Sequence, residues 1–210
     1  MMTDTPLLIA GLGNPGTQYA RNRHNAGFMA VDTIHESYDF GPWRSKHQGL
    51  IAEGKLAKRK IYLLKPMTFM NESGLSVGPA ARFLKLRPSA VVVFHDEIDL
   101  VAGKLKAKTG GGDAGHNGLR SITAALGPDY HRVRIGVGHP GEKERVHGHV
   151  LQNFSKADED WLVPMLTAIA EATPLLAQND ILGFMSRVAL ILHPPEKKPK
   201  PEIAKKKDEV

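Results

Sequence analysis

The chain has 210 residues, a formal net charge of +6 and no cysteine. That length suffices for one α/β domain with its own core, and the lack of thiols excludes disulfides, thiolate metal sites and a cysteine nucleophile. The basic balance favours a polyanionic partner but is modest, because six lysines against four acids between Pro195 and Val210 account for +2 of it. Met1 to Pro6 carries an acid and no basic residue, unlike a signal peptide, and no apolar run reaches the ~18 residues of a membrane span. A cytoplasmic protein with no membrane association is expected.

Leu7 to Ala10 is a short apolar run that ends in glycines and reads as a buried strand. Ala26 to Tyr38 spaces Phe28, Val31, Ile34 and His35 as a helix does. Gln48 to Gly54 and Lys60 to Lys65 read as two strands joined by a turn. Asn71 to Leu86 reads as a helix despite Gly74, Gly78 and Pro79. Ala90 to His95 is the strongest strand signal, apolar on both faces. Lys104 to Lys108 alternates as a strand, Asn117 to Leu126 reads as a helix, and Arg132 to Val137 as another strand. Ser155, followed by an acid-rich turn, is placed to cap a long helix running to about Gln178, and Ile181 to Leu192 forms the last helix. Strands and helices alternate, which predicts a single three-layer α/β domain over residues 1–192, a mixed twisted sheet flanked by helices. Residues 193–210 are rich in proline and lysine and are expected to be a disordered basic tail.

Gly11-Leu12-Gly13-Asn14-Pro15-Gly16 matches the G-x-G-x-x-G dinucleotide fingerprint after a strand, so a dehydrogenase is a rival to be weighed. Three features oppose it. Pro15 removes a backbone N–H from the loop that would cradle a pyrophosphate. Thr17 to Asn25 is polar where a Rossmann helix would show apolar periodicity. Asp32, near the distance expected of the ribose-binding acid, falls inside the predicted first helix. The glycines read better as a tight turn that presents Asn14 at the end of a strand, where α/β ligand sites lie.

Four further polar segments end strands or open helices: Arg23 to Gly27, Thr68 to Gly74, His95 to Asp99 and Gly110 to Gly118. If the elements pack as a sheet, these loops converge on one edge. Read alone, each segment has a bland explanation as a turn, a helix cap or a solvated loop. Together, G-L-G-N-P-G, R-H-N-A-G, T-F-M-N-x-S-G, H-D-E-x-D, G-H-N-G-L and R-I-G-V-G-H-P-G have the order and approximate spacing found in bacterial peptidyl-tRNA hydrolases, and the chain resembles that family from about Leu7 to Leu192.

The resemblance implies hydrolysis of the ester between a peptide and tRNA, without a metal or other cofactor, by a monomer. It carries functional roles to Asn14, His24 and Asp96 as the catalytic group, and to Tyr19, Phe69, Met70, Asn71 and Asn117 around the substrate. The residue types suit the chemistry. A histidine, with a pKa near ~6.5, is matched to base work at neutral pH. A carboxylate on its other nitrogen fixes the tautomer, and amides donate to an oxyanion or grip a peptide backbone.

Lys104, Lys106 and Lys108 alternate on one predicted strand, Arg132 and Arg134 on the next, and each set projects from one face. Such a patch suits phosphates, and the resemblance points to Lys106, Lys108 and Arg134 as the contacts to the tRNA acceptor arm and CCA end. The chain departs from many family members at Asp113 and Ala114, and an acid there is expected to oppose phosphate near the tRNA entrance. His139, His147 and His149 are the remaining metal-ligand candidates, but no helical H-x-x-x-H pattern accompanies His147 and His149, which read as one strand face. A noncatalytic RNA-binding relative of the same fold is the alternative reading. The full set Asn14, His24, Asn71, Asp96 and Asn117 favours the enzyme.

Overall fold

A computed structural model describes residues 5–195. A seven-stranded sheet has the order β2-β3-β4-β1-β5-β7-β6. Its centre is parallel: β1 (Leu7–Gly11) lies between β4 (Arg59–Pro66) and β5 (Val91–Glu97), and β5 pairs with β7 (His131–Gly136). Antiparallel strands β3 (Gly49–Leu56), β2 (Arg44–Lys46) and β6 (Leu105–Thr109) complete it. Every residue of β1 and β5 is buried, as their unbroken apolar runs require of strands covered on both faces.

Helices α1 (Ala26–Ser37), α5 (Glu159–Ala177) and α6 (Ile181–Leu192) pack on one face. Helices α2 (Gly74–Phe83) and α3 (Asn117–Leu126) cover the other. The three-layer domain predicted from the sequence is therefore the observed one. No helix among the described residues is long and apolar enough to cross a membrane.

The G-x-G stretch works as a packing device. A β-carbon on Gly11 would stand 2.1 Å from the Gly27 carbonyl oxygen, and one on Gly27 would stand 2.3 Å from that of Phe94. Only glycine at both positions lets the head of α1 rest on the backbones of β1 and β5. Past Gly16 the chain forms two 3-10 turns, Thr17–Tyr19 and Arg23–Asn25, rather than a helix.

Two of the three prolines inside helices are accommodated by side chains. Pro79 and Pro174 each lack the N–H that would bond the carbonyl four residues earlier. The orphaned Leu75 oxygen instead accepts from Gln48 Nε2 at 3.4 Å, and that of Ala170 from the Tyr38 hydroxyl at 2.8 Å. The first bond ties the β2–β3 turn to α2, and the second ties the end of α1 to α5.

Several expectations change. The three exposed residues of β2 are an additional strand. The helix expected from Asn71 begins at Gly74, and Asn71 lies in a 3-10 turn, Met70–Glu72. The long helix begins at Glu159. Ser155 nonetheless caps the turn before it, its hydroxyl accepting the Asp158 N–H at 3.2 Å while the Asp158 carboxylate accepts the Ser155 N–H at 2.8 Å. His147 and His149 sit on a short helix, α4 (Val146–Val150), not on a strand. The predicted tail from Glu196 onward lies outside the described residues.

Candidate active site

The parallel strands β1, β4, β5 and β7 end at one edge of the sheet, and the loops leaving them border a cleft of about 880 Å³. Asn14, Tyr19, His24, Phe69, Met70, Asn71, Asp96 and Asn117 all line it. The expected catalytic and substrate-contacting residues are thus brought together from five segments.

Asp96 is the buried centre. His24 Nδ1 lies 2.9 and 3.0 Å from its two carboxylate oxygens, and His116 Nε2 lies 3.1 Å from Oδ1. His116 is the N-cap of α3, and its Nδ1 accepts the Gly118 and Leu119 N–H groups at 3.1 and 3.4 Å. Those donors require a bare Nδ1, so the proton of neutral His116 sits on Nε2 and is donated to Asp96. His24 donates its own Nδ1–H to the same carboxylate. Its Nε2 is then the unprotonated nitrogen, and no group among the described residues bonds it.

Burial lowers the pKa of His24, but the charge and hydrogen bond of Asp96 outweigh this and leave it raised above the ordinary value. Burial likewise opposes ionisation of Asp96. The two imidazoles prevail and hold its carboxyl well below the usual carboxylate range. Neighbouring His95 differs: burial, reinforced by the charge of His116, pushes it down to about 3. Its Nδ1–H donates to the Asp96 carbonyl at 2.7 Å.

The amides are held by one another. The Asn25 side chain makes two bonds to the Asn14 backbone, accepting its N–H and donating to its carbonyl, each at 2.9 Å. Asn14 Oδ1 in turn accepts the Met70 N–H at 2.8 Å. The Asn14 oxygen is therefore committed to the Phe69–Asn71 loop, and its NH₂ is the end left for the cleft. Asn71 and Asn117 are exposed at the rim.

Ligand atoms of His24, Asp96 and His116 lie within 4.8 Å of one another, close enough to suggest a metal set. The tautomer argues against it, since His116 Nε2 carries the proton that Asp96 accepts and has no lone pair to offer. His139 and His147 line the cleft, whereas His149 Nε2 is spent on the Val137 carbonyl at 3.2 Å.

Lys106, Lys108 and Arg134 lie outside the cleft, on the adjoining β6–β7 face. Lys106 is exposed opposite Arg134 across the ladder. Arg134 Nε donates to Glu97 Oε2 at 2.8 Å, leaving its terminal nitrogens without a partner among the described residues. Arg132 is not part of this patch. It is fully buried beneath the glycine loop, donating to the Gly112 carbonyl at 2.7 Å and pairing with Asp113 at 3.3 Å. Asp113 also accepts from the Thr123 hydroxyl at 2.8 Å. Its charge is thus paired inward with Arg132, which removes the basis for expecting it to oppose phosphate. Residues 110–116 need that charge, because the loop runs back over β7 and seals a guanidinium from water.

Sequence reasoning overlooked His116 and Asn25. Both stood inside motifs already singled out, and His116 occupies the position directly before a predicted helix, where a capping side chain is expected.

The peptidyl-tRNA hydrolase family model matches residues 8–200. The peptidyl-tRNA hydrolase of Granulibacter bethesdensis is 61% identical over 188 residues, spanning 89% of this chain and 97% of the relative. That of Acidiphilium cryptum is 59% identical, spanning 88% and 96%. A crystal structure of peptidyl-tRNA hydrolase from Acinetobacter baumannii matches with a TM-score of 0.84 at 39% identity, covering 90% of this chain and 96% of that one. The chain belongs to the peptidyl-tRNA hydrolase family.

Proposed function

We propose that this chain hydrolyses the ester joining a peptide to the terminal ribose of tRNA, freeing tRNA from prematurely released peptidyl-tRNA, with His24 as the general base. The supporting observation is the His24–Asp96 pair, which leaves one open imidazole nitrogen facing a cleft bordered by three asparagines. His24 Nε2 takes a proton from water as the water oxygen attacks the ester carbonyl. Asp96 keeps the ring in the required tautomer and stabilises the imidazolium that forms. The NH₂ groups of Asn117 and Asn14 donate to the developing oxyanion and the attacking water. Collapse of the tetrahedral intermediate breaks the bond to the ribose oxygen, which recovers the proton from His24. Tyr19, Phe69, Met70 and Asn71 hold the peptide.

Lys106, Lys108 and Arg134 meet phosphates of the acceptor arm and leave sequence unread. The reaction needs no metal, and the enzyme works as a cytoplasmic monomer. The test is turnover of N-acetyl-aminoacyl-tRNA by purified protein with and without chelator. Turnover should survive chelation and fall at least ~10²-fold in His24→Ala, the contribution of a positioned base. Undiminished turnover by that variant would refute the assignment.

A further inference from the structure

Beyond the cleft mouth, three large apolar side chains stand in solvent on consecutive pieces of chain: Met67 at 42% exposure, Phe69 at 55% and Leu75 at 51%. Their exposure is built in. Thr68 is buried between Met67 and Phe69, so the extended segment turns both flanking side chains outward. The Met67 N–H donates to the Gln48 carbonyl at 2.9 Å, and the Gln48 side chain donates to the Leu75 carbonyl that Pro79 leaves free. One residue, Gln48, thus ties the backbone at Met67 to the first turn of α2 at Leu75. Phe69 also lines the cleft, two residues beyond Met67 on the same extended segment, and so links this shelf to the cleft wall.

The sheet order says what runs over it. The basic face lies on β6 and β7 at one edge, Asp96 with its imidazoles lies on β5, Asn14 follows β1, and the shelf follows β4 beside the β2–β3 turn. A substrate with its nucleic acid over β6–β7 and its ester at β5 must extend its other end across β1 and β4. Neighbouring strands are ~4.8 Å apart, so two strand spacings from β5 reach β4 at roughly 10 Å. An extended peptide covers that in about three residues.

We propose that Met67 and Leu75, with Phe69, form a subsite for apolar side chains of the peptide about three to four residues before the ester. This rests on the hydrolase reading, and it makes the enzyme selective for apolar peptides at positions that never approach the reacting bond. The three shelf side chains are uncharged and apolar, which suits an apolar peptide segment better than tRNA.

The test compares two N-acetyl-tetrapeptidyl-tRNAs, with leucine or aspartate at the two residues farthest from the ester, and N-acetyl-aminoacyl-tRNA, which is too short to reach the shelf. Wild-type protein should prefer leucine over aspartate roughly tenfold or more in kcat/KM, the discrimination an apolar pocket gives one side chain. The double variant Met67→Ser, Leu75→Ser leaves charge unchanged and should bring that preference close to unity. Its turnover of the short substrate should stay within about twofold of wild type, which also reports an intact fold. A preference that survives in the variant, or an equal fall on all three substrates, overturns the subsite alone. Failure of wild-type protein to cleave even the short substrate overturns the hydrolase reading, and the subsite with it.

Discussion

The turn Arg23–Asn25 and the head of α3 each aim an imidazole at the Asp96 carboxylate, yet the two rings end in different states of use. On His116 both nitrogens are occupied, one by Asp96 and the other by two backbone N–H groups. On His24 one is occupied and one faces the cleft. The carboxylate is common to both, so the second nitrogen alone tells the rings apart: under the proposed mechanism the open one is the base and the other its brace. Chemistry is assigned here by what the backbone has already consumed.

Replacing Asp96 with Asn removes the centre of the comparison and should have the largest effect. An amide can present the wrong end to His24 and release its tautomer, so kcat/KM should fall about 10²-fold or more. The pH profile carries a sign. Asp96 raises the His24 pKa, so the wild-type acid limb, where the base is lost as pH falls, lies above the ordinary ~6.5. In Asp96→Asn any residual activity should show that limb moved to lower pH. A limb that stays in place would detach Asp96 from His24.

Asp113→Ala acts on the brace side only. It leaves the buried Arg132 guanidinium without its carboxylate and should cost about 3 kcal/mol in urea unfolding, the low end for breaking a buried pair, because Asp113 is partly exposed. Adding Arg132→Met should recover much of that loss. A double variant as unstable as the single one would show that the charge is not the issue.

His116→Asn separates cap from brace. Asparagine still caps a helix but is too short to reach Asp96 as the imidazole does. The unfolding midpoint should hold while kcat drops roughly tenfold, a fraction of the penalty expected for losing a general base. Equal losses in His24→Ala and His116→Asn would erase the distinction between the rings. The smallest effect is expected at the β6–β7 face. Lys108→Ala should raise KM a few-fold and reduce the slope of log affinity against log salt by about 1, with kcat kept.

What could be read from the chain tracks the range of the forces involved. β1, β5, α3 and α6 were legible because their apolar pattern is local and strong. β2 was not, since its three exposed residues are a strand only through pairing with β3, across a turn in which His47 and Gln48 both take positive φ. V-H-G-H-V alternates like a strand yet closes as α4. The cleft residues were legible as a set, while their hierarchy was not. Arg132 and Arg134 alternate identically in sequence, and only the return of a loop from 20 residues upstream buries one and leaves the other at the surface. The same holds for His116, whose proton is placed by N–H groups that exist only once α3 has formed.

The sheet ends on β2 and β6, and both margins carry cations: Arg44 and Lys46 on one, and Lys106 and Lys108 on the other, where the Ala107 N–H is already covered by the Met185 sulfur at 3.0 Å. A free strand margin is a template on which a second copy could add its own strand, and lysine there opposes such growth. The side chains proposed to meet a phosphate backbone are thus also placed to oppose strand addition by a second copy. On that reading the charge of Lys106 and Lys108 serves solubility as well as substrate.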